Sequence, residues 1–442
     1  MKNPSDERGG SSRRGFLNTA ASLGAAAAFP TVIPGSALGK GGVVAPSERI
    51  NLGVIGYGPR CKYDMGPMLA QPDVRCVAMC DVQTQRREEG KERVDKHYGD
   101  QKCDAIVDFR ELLDRKDVDA VLIATGDRWH GHASILAARA GKDVYSEKPC
   151  AMTIDLAIKL ADTFKETGRV FQAGTQRRSV PNFEYAVNLA QSGKLGKLKT
   201  LFASVYTPAL VTQWLPSQPT PKKDVIDWDL WLGPAPWRTF NEAYAAGRWR
   251  DHFDLDAGVR LLDWGVHTVD LCQWANGADE TTPILFEPAE TRITAKYANG
   301  VELVLDFLKT PFGERTGWIT ALGTCPVRYV GTDGWVETGD NGGLELQPEP
   351  LKAGLKDLPT VAHNSGLDVG AHARNWLDCI KTRGKPAANV EVMRNSHIAC
   401  HAAALSWLLG RKLEFDPTKF AFVNDDEANS LRSRPVREQW RI

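Results

Sequence analysis

Three side chains in this sequence are suited to moving protons: Lys148, Asp263 and His267. Lys148 lies in Glu147-Lys148-Pro149, directly after a short apolar run at 144–146. If that run is a strand of a parallel sheet, the lysine stands at its carboxyl end, where open α/β sheets bind ligands. An ammonium there can hold a substrate oxygen or pass on a proton; it can equally close a strand-end salt bridge. Asp263 and His267 belong to Leu262-Asp263-Trp264-Gly265-Val266-His267. On a helix this i, i+4 spacing puts both on one face. Oxidising an alcohol needs a base for the hydroxyl proton while hydride leaves, and imidazole titrates near neutrality. The carboxylate is expected to orient the ring and favour its charged form; the bland alternative is a surface ion pair.

A second constellation is Gly56-Tyr57-Gly58-Pro59-Arg60-Cys61, between an apolar run and a helical stretch. Gly56 permits a tight turn, and Gly58 lets backbone approach a pyrophosphate resting on the positive helix N-terminus. Pro59 offers no N–H but suits a first helical turn. Cys61 stands where Gly or Ala is usual. A plain glycine turn is the alternative. Asp81 raises the odds of a dinucleotide site. It ends the next apolar run, about 25 residues after Gly56, near the spacing of a ribose-binding acid. Its carboxylate would repel a 2′-phosphate, which favours NAD over NADP, although Arg86 and Arg87 follow closely enough to reverse the choice. A helix N-cap is the alternative role.

The elements that must position these residues are readable as pattern. Apolar runs at 49–55, 74–80, 120–124, 144–146 and 170–173 alternate with helical stretches at 62–70, 84–97, 109–113, 129–140 and 153–166. Continuous apolar strands between helices mean a parallel sheet covered on both faces. Past about Gly174 the pattern changes. One helix (182–191) is followed by an alternating strand (198–206), a Pro-rich loop (207–227) and strands at 290–297, 302–307, 316–322 and 327–330. Ala298-Asn299-Gly300 signals a hairpin. Helices are expected at 372–382 and 392–409. The fold class is therefore α/β: a doubly wound parallel sheet, then an α+β domain with a mainly antiparallel open sheet and helices on one face.

The first 47 residues stand apart. Ser12-Arg13-Arg14-Gly15-Phe16-Leu17 followed by an alanine-rich run matches a twin-arginine export signal, and the Gly/Pro-rich remainder reads as a linker. Nine scattered cysteines without a C-x-x-C pair suggest neither zinc nor a disulfide framework. A formal net charge of zero gives no electrostatic reason to expect nucleic acid or an anionic membrane as partner. No compact set of metal ligands stands out; His397 and His401, at helical spacing, are expected to make polar contacts near the domain interface. Of the six tryptophans between Trp214 and Trp264, most are expected in the core.

Together these segments resemble the Gfo/Idh/MocA oxidoreductases, especially their twin-arginine-exported members. The resemblance runs from Ile50 nearly to the C-terminus. It rests on Gly56-Tyr57-Gly58, the segment from Ile123 through Thr125-Gly126-Asp127-Arg128-Trp129 to His130, Glu147-Lys148-Pro149, Gly174-Thr175-Gln176-Arg177, the stretch from Trp228 to Pro234, the segment from Asp263 to His267, and Arg411-Lys412-Leu413. It implies a dinucleotide-binding domain at 48–174 and a substrate-binding and oligomerisation domain at 175–442. It implies that Lys148, Asp263 and His267 form the catalytic set. It implies cofactor contacts from Gly56, Tyr57, Gly58, Pro59, Arg60, Asp81, Thr125, Asp127, Trp129, His130, Glu147, Lys148 and Gln176. It also implies homodimers or homotetramers built through the open face of the second sheet. Gly126 and Arg128 replace a more usual Pro and His.

The expected activity is hydride transfer between a sugar, polyol or sugar acid and NAD (or NADP), with Arg177 and Arg260 joining Asp263 and His267 at the substrate. An exported, periplasmic enzyme has no free nicotinamide pool, so the cofactor is expected to be tightly held. A redox-neutral glycosidase or epimerase working through a transient keto-sugar is the second reading, and a non-catalytic sugar-binding scaffold the third.

Overall fold

The computed structural model describes residues 44–308, 322–359, 366 and 368–442. The twin-arginine segment, and the strand expected at 316–322 apart from Leu322, lie outside the described residues. The chain divides into two compact units, one ending at Arg49 and the other spanning Ile50–Ile442. The second unit holds both sheets and the site.

Six parallel strands, β1 (Ile50–Ile55), β2 (Val74–Cys80), β3 (Asp104–Ile106), β4 (Ala120–Ile123), β5 (Asp143–Ser146) and β6 (Phe171–Ala173), form a sheet in the order β3-β2-β1-β4-β5-β6. Every residue of β4 and β5 is buried, as the continuous apolar runs require of a sheet covered on both faces. The helices Pro59–Leu69, Thr84–Tyr98, Asp127–Arg139 and Ile154–Thr167 follow β1, β2, β4 and β5. The last shows why such stretches are helical. Thr153 caps it by accepting from the Leu156 N–H, Ile154, Ala157, Leu160, Ala161 and Phe164 form its buried stripe, and Gly168 ends it at φ 63°. Strand order reverses between β1 and β4, which opens a crevice at their carboxyl ends.

The second sheet has nine strands: β7 (Leu198–Tyr206), β8 (Leu285–Pro288), β9 (Arg292–Lys296), β10 (Glu302–Leu308), β11 (Val327–Gly331), β12 (Trp335–Thr338), β13 (Leu344–Gln347), β14 (Leu413–Asp416) and β15 (Ala421–Phe422). Their order is β13-β12-β11-β7-β10-β9-β8-β14-β15. The sheet is mixed: β7 and β10 pair in parallel and the other neighbours are antiparallel. Gly300 (φ 86°) turns the β9–β10 hairpin that sets Glu302 opposite Lys296. β3, β8 and β12–β15 went unseen in the pattern because runs of two to four residues carry too few alternations to register.

The helix Leu261–Ala275 lies on β7. Leu201, Ala203 and Val205 of the strand are buried, and Gly265 lets the helix come so near that a Cβ there would be 3.0 Å from Val205 Cγ1. Thr268 Oγ1 donates to the Ser204 carbonyl at 2.7 Å. This contact sets the depth and rotation of the helix that carries Asp263 and His267.

Candidate active site

The crevice at the ends of β1, β2 and β4 is a cleft of roughly 1170 Å³, part of it open to solvent. Gly56 turns the chain at φ 89°, and a Cβ on it would meet Thr125 Cγ2 at 2.8 Å and the Ala124 carbonyl at 2.9 Å, so only glycine fits. Above Gly58 the space is open: a Cβ would find only Arg86 Nη1, at 3.8 Å. Helix Pro59–Leu69 begins there with no side-chain cap, which leaves its positive end for an anion. Asp81 braces the turn. Its two oxygens accept from the Tyr57 N–H (2.7 Å) and the Gln83 N–H (2.8 Å). Burial nevertheless pushes its carboxyl up, an energetic tension suited to a group that meets ribose hydroxyls. These features fit a dinucleotide.

Beside this cleft, residues 115 apart in sequence converge: Lys148 Nζ lies 3.1 Å from Asp263 Oδ1 and also donates to the Asp263 carbonyl. Arg250 Nε approaches the other Asp263 oxygen at 3.6 Å. Burial raises the Asp263 carboxyl, but Lys148 and Arg250 outweigh it and hold the group below its ordinary value. Asp263 is thus an ionised anchor for Lys148. It does not serve His267 in the expected way. Burial, reinforced by Arg177 and Lys148, holds the His267 ring well below its usual range, so the imidazole is neutral at neutral pH, with Nδ1 buried and without a hydrogen-bond partner. The i, i+4 geometry holds but the proposed ion pair does not form, because Lys148 and Arg250 are the stronger claimants on the carboxylate. Trp264 is the hub: Lys148 Nζ and the Arg177 guanidinium each lie 5.6 Å from its ring, and the His267 ring 6.2 Å.

The backbone entering this helix is strained. Gly258, Val259 and Arg260 have φ of 65°, 50° and 71°; for a β-branched valine this conformation is costly. Asp256 holds it, accepting from Arg260 N–H (2.9 Å) and Asp251 N–H (3.0 Å), while Asp127 Oδ2 accepts from Ala257 N–H (3.1 Å). Burial, then the nearby Asp127, pushes the Asp256 carboxyl up to about 8. The folded state therefore keeps a proton that the unfolded chain releases near pH ~4, and stability falls as pH rises from there to about 8. Asp256→Asn removes this dependence. Thermal melts at pH 5 and pH 8 are expected to show the variant gaining on the wild type by ~1.4 kcal/mol per pH unit at most; a constant gap between the two would show that Asp256 is ionised throughout.

Of the residues expected at the cofactor, Gly56, Gly58, Pro59, Arg60, Asp81, Thr125 and Trp129 line the cleft. Lys148 does not line it and is paired with Asp263 instead; the others make the contacts that frame it. Tyr57 and Glu147 are buried; Arg60 bridges Glu147 (3.1 Å) and Asp64 (2.8 Å). His130 Nδ1 meets the Pro149 carbonyl at 2.8 Å, Asp127 holds Ala257, and Gln176 donates to the Gly366 carbonyl at 2.9 Å. Arg177 departs from its expected role. It is sealed in a two-pronged ion pair with Asp340 (2.8 and 2.6 Å) and forms the wall of the site instead of a solvent-facing substrate ligand. Arg260 is at the rim, 3.4 Å from Asp251 and stacked 4.4 Å from the Tyr206 ring. His397 and His401 make polar contacts, with the Cys150 N–H and the Ala151 carbonyl. Arg86, flagged beside Asp81, and Arg128, within the Thr125 to His130 segment, also line the cleft; Asp64, Trp231 and Trp249 were missed as site residues. Only Asp64 had a signal, its i+4 spacing from Arg60; the rest reach the site through tertiary packing. Trp228 and Trp231 stack at 4.5 Å in a local core.

A dinucleotide crevice at the switch point of a doubly wound sheet, beside a lysine–aspartate pair and a neutral histidine, defines the class as an NAD-binding Rossmann protein. Residues 50–175 match the family model described as an oxidoreductase family, NAD-binding Rossmann fold, and residues 209–311 and 351–442 match that family's C-terminal alpha/beta domain. The chain belongs to the Gfo/Idh/MocA family. It is similar to a glycosyl hydrolase family 109 protein from Bacteroides thetaiotaomicron (30% identical over 34% of this chain and 33% of the relative). It is similar to scyllo-inositol 2-dehydrogenase (NAD(+)) from Bacillus subtilis (34% identical over 20% of this chain and 25% of the relative). These matches span a third or less of the curated relatives' length. The WlbA dehydrogenase from Chromobacterium violaceum, solved with NADH and UDP-GlcNAcA, shares the fold with a TM-score of 0.61 at 16% identity, over 84% of this chain and 96% of that one.

Proposed function

We propose that this protein moves hydride between a carbon of a sugar or polyol and a tightly held NAD. The observation that carries the reading is the convergence of Lys148, Asp263 and His267 next to the dinucleotide cleft. Bound nicotinamide supplies the hydride acceptor or donor. Lys148 donates to the substrate oxygen and stabilises the negative charge that grows on it as the O–H proton departs. Asp263 fixes the ammonium in place. His267, neutral and with Nδ1 free, takes the hydroxyl proton in oxidation and returns it to the carbonyl oxygen in reduction. Arg260 at the rim and the loop at 207–227 are proposed to choose the substrate.

The twin-arginine pattern at Ser12–Leu17 supports export of the folded, loaded protein to the periplasm, and the second sheet supports a homodimer or homotetramer. A captive cofactor must be regenerated in place, either by a second sugar in a ping-pong cycle or by reducing back the same substrate. The similarity to a glycosyl hydrolase family 109 protein favours the redox-neutral cycle as the second reading.

Denaturing gently purified protein and weighing the released small molecules tests this. One dinucleotide per chain is the expected result. Sugar pairs would then be screened for turnover and glycosides for cleavage; free sugar released with no net change in cofactor redox state selects the second reading. A protein that carries no NAD(P) and binds none when it is added would sink both.

A further inference from the structure

We propose that Arg128 binds the diphosphate of the dinucleotide, with its free Nη1–H on a phosphate oxygen and Arg86 on the opposite side of the glycine turn. The inference rests on the oxidoreductase reading above. Arg128 is 4% exposed. Its Nε donates to the Trp231 carbonyl at 2.6 Å, and its guanidinium lies 3.5 Å from the Trp231 ring centroid and 6.0 Å from that of Trp249. Nη1 is buried and has no hydrogen-bond partner. Among the described residues no carboxylate lies within ion-pair distance of it. Burial brings the guanidinium down to about 9. An uncompensated buried charge is strongly destabilising, and sites that keep one are arranged around a ligand that supplies the opposite charge.

The geometry says where that ligand is. Arg128 Nη1 lies against Gly126, where any Cβ would overlap it. Gly126 directly follows Ala124 and Thr125, against which the Gly56 turn packs. The free N–H is therefore on the same rim as the N-terminus of Pro59–Leu69. That helix starts with a proline, so its first turn offers an anion one N–H fewer than usual, and a side-chain donor can take that place. Arg86 supplies a second: Nη1 is 3.8 Å from where a Gly58 Cβ would stand, and Nη2 donates to the Ala245 carbonyl at 3.0 Å. Among the described residues it too lacks a carboxylate partner. Two guanidinium groups without acidic partners match the two charges of a diphosphate. Arginine is required at 128 because its planar fork can stack on Trp231, donate to its carbonyl and still present another N–H.

The test compares Arg128→Met and Arg128→Lys with the wild type. Each dialysed protein is titrated with NADH and with ADP-ribose, which keeps the diphosphate but lacks nicotinamide, and each is melted without ligand. Arg128→Met is expected to lose at least about tenfold in affinity for both ligands in parallel, with a ligand-free melting temperature no lower than wild type. Arg128→Lys is expected to fall between them; if the Met variant does not fold, unchanged affinities in the Lys variant overturn the proposal. A loss confined to NADH would put Arg128 at the nicotinamide and overturn it. So would unchanged binding with a lowered melting temperature, the sign of a packing role. A wild type that binds neither ligand overturns the oxidoreductase reading and this inference with it.

Discussion

Lys148→Met is expected to slow hydride transfer by roughly 10²–10⁴-fold while NADH affinity stays within a few-fold of the wild type. Methionine keeps the length and apolar stem of lysine, so what it deletes is the ammonium between Asp263 and the substrate oxygen. Lys148 does not line the dinucleotide cleft, so cofactor binding is not expected to follow activity down. The variant has a second signature. With Lys148 gone, only the more distant Arg250, at 3.6 Å, and the rim Arg260 oppose the burial that raises the Asp263 carboxyl. Asp263 then titrates at higher pH, and residual activity acquires a pH dependence in the acid range. Lys148→Arg keeps the charge and is expected to keep the Asp263 pair with partial activity. The measurement is single-turnover NADH formation with whichever polyol proves active. Equal rates in wild type and Lys148→Met would reduce the lysine to a strand-end ion pair.

The second large effect falls on stability. Asp340→Ala is expected to cost about 3–5 kcal/mol, read as a shift in the urea midpoint at unchanged slope. Arg177 and Asp340 are 1% and 0% exposed at their side chains, and Thr324 also donates to the same carboxylate. Removing the acid strands a guanidinium in the interior, which already holds one Nη1 without a partner. The pair itself need not be net stabilising: its desolvation offsets much of its attraction. The double variant Arg177→Met/Asp340→Leu is therefore expected to recover most of the lost stability. It should not recover activity, because Arg177 also lies against Trp264 and helps keep His267 neutral. A single variant as stable as the wild type would mean that Arg177 finds another partner.

The balance between what was legible and what was not reflects the range of the forces involved. The glycine turn, Asp81, Glu147-Lys148-Pro149 and the i, i+4 pair could be read because each is a local arrangement, set within a few residues by backbone freedom, strand ends or helical pitch. The alternation of apolar strands and helices likewise determined the parallel sheet, since burial on both faces leaves a mark on each strand separately. The pairing of charges could not be read that way. Asp263 stands four residues from His267 but is held by Lys148, 115 positions away. Arg177, expected at the substrate, is sealed by Asp340, 163 positions away.

Gly126 and Arg128 show the same division. In the sequence they are two separate departures from the family's pattern; in the structure one makes room for the other's guanidinium. The sequence by itself determined the class of fold, the glycine turn of the dinucleotide crevice and the types of the groups gathered beside it. Tertiary structure alone decided which acid serves which base, that Arg177 is sealed by Asp340, and that His267 is neutral. Those outcomes depend on Coulomb attraction and desolvation, which act through space and burial and leave no period along the chain.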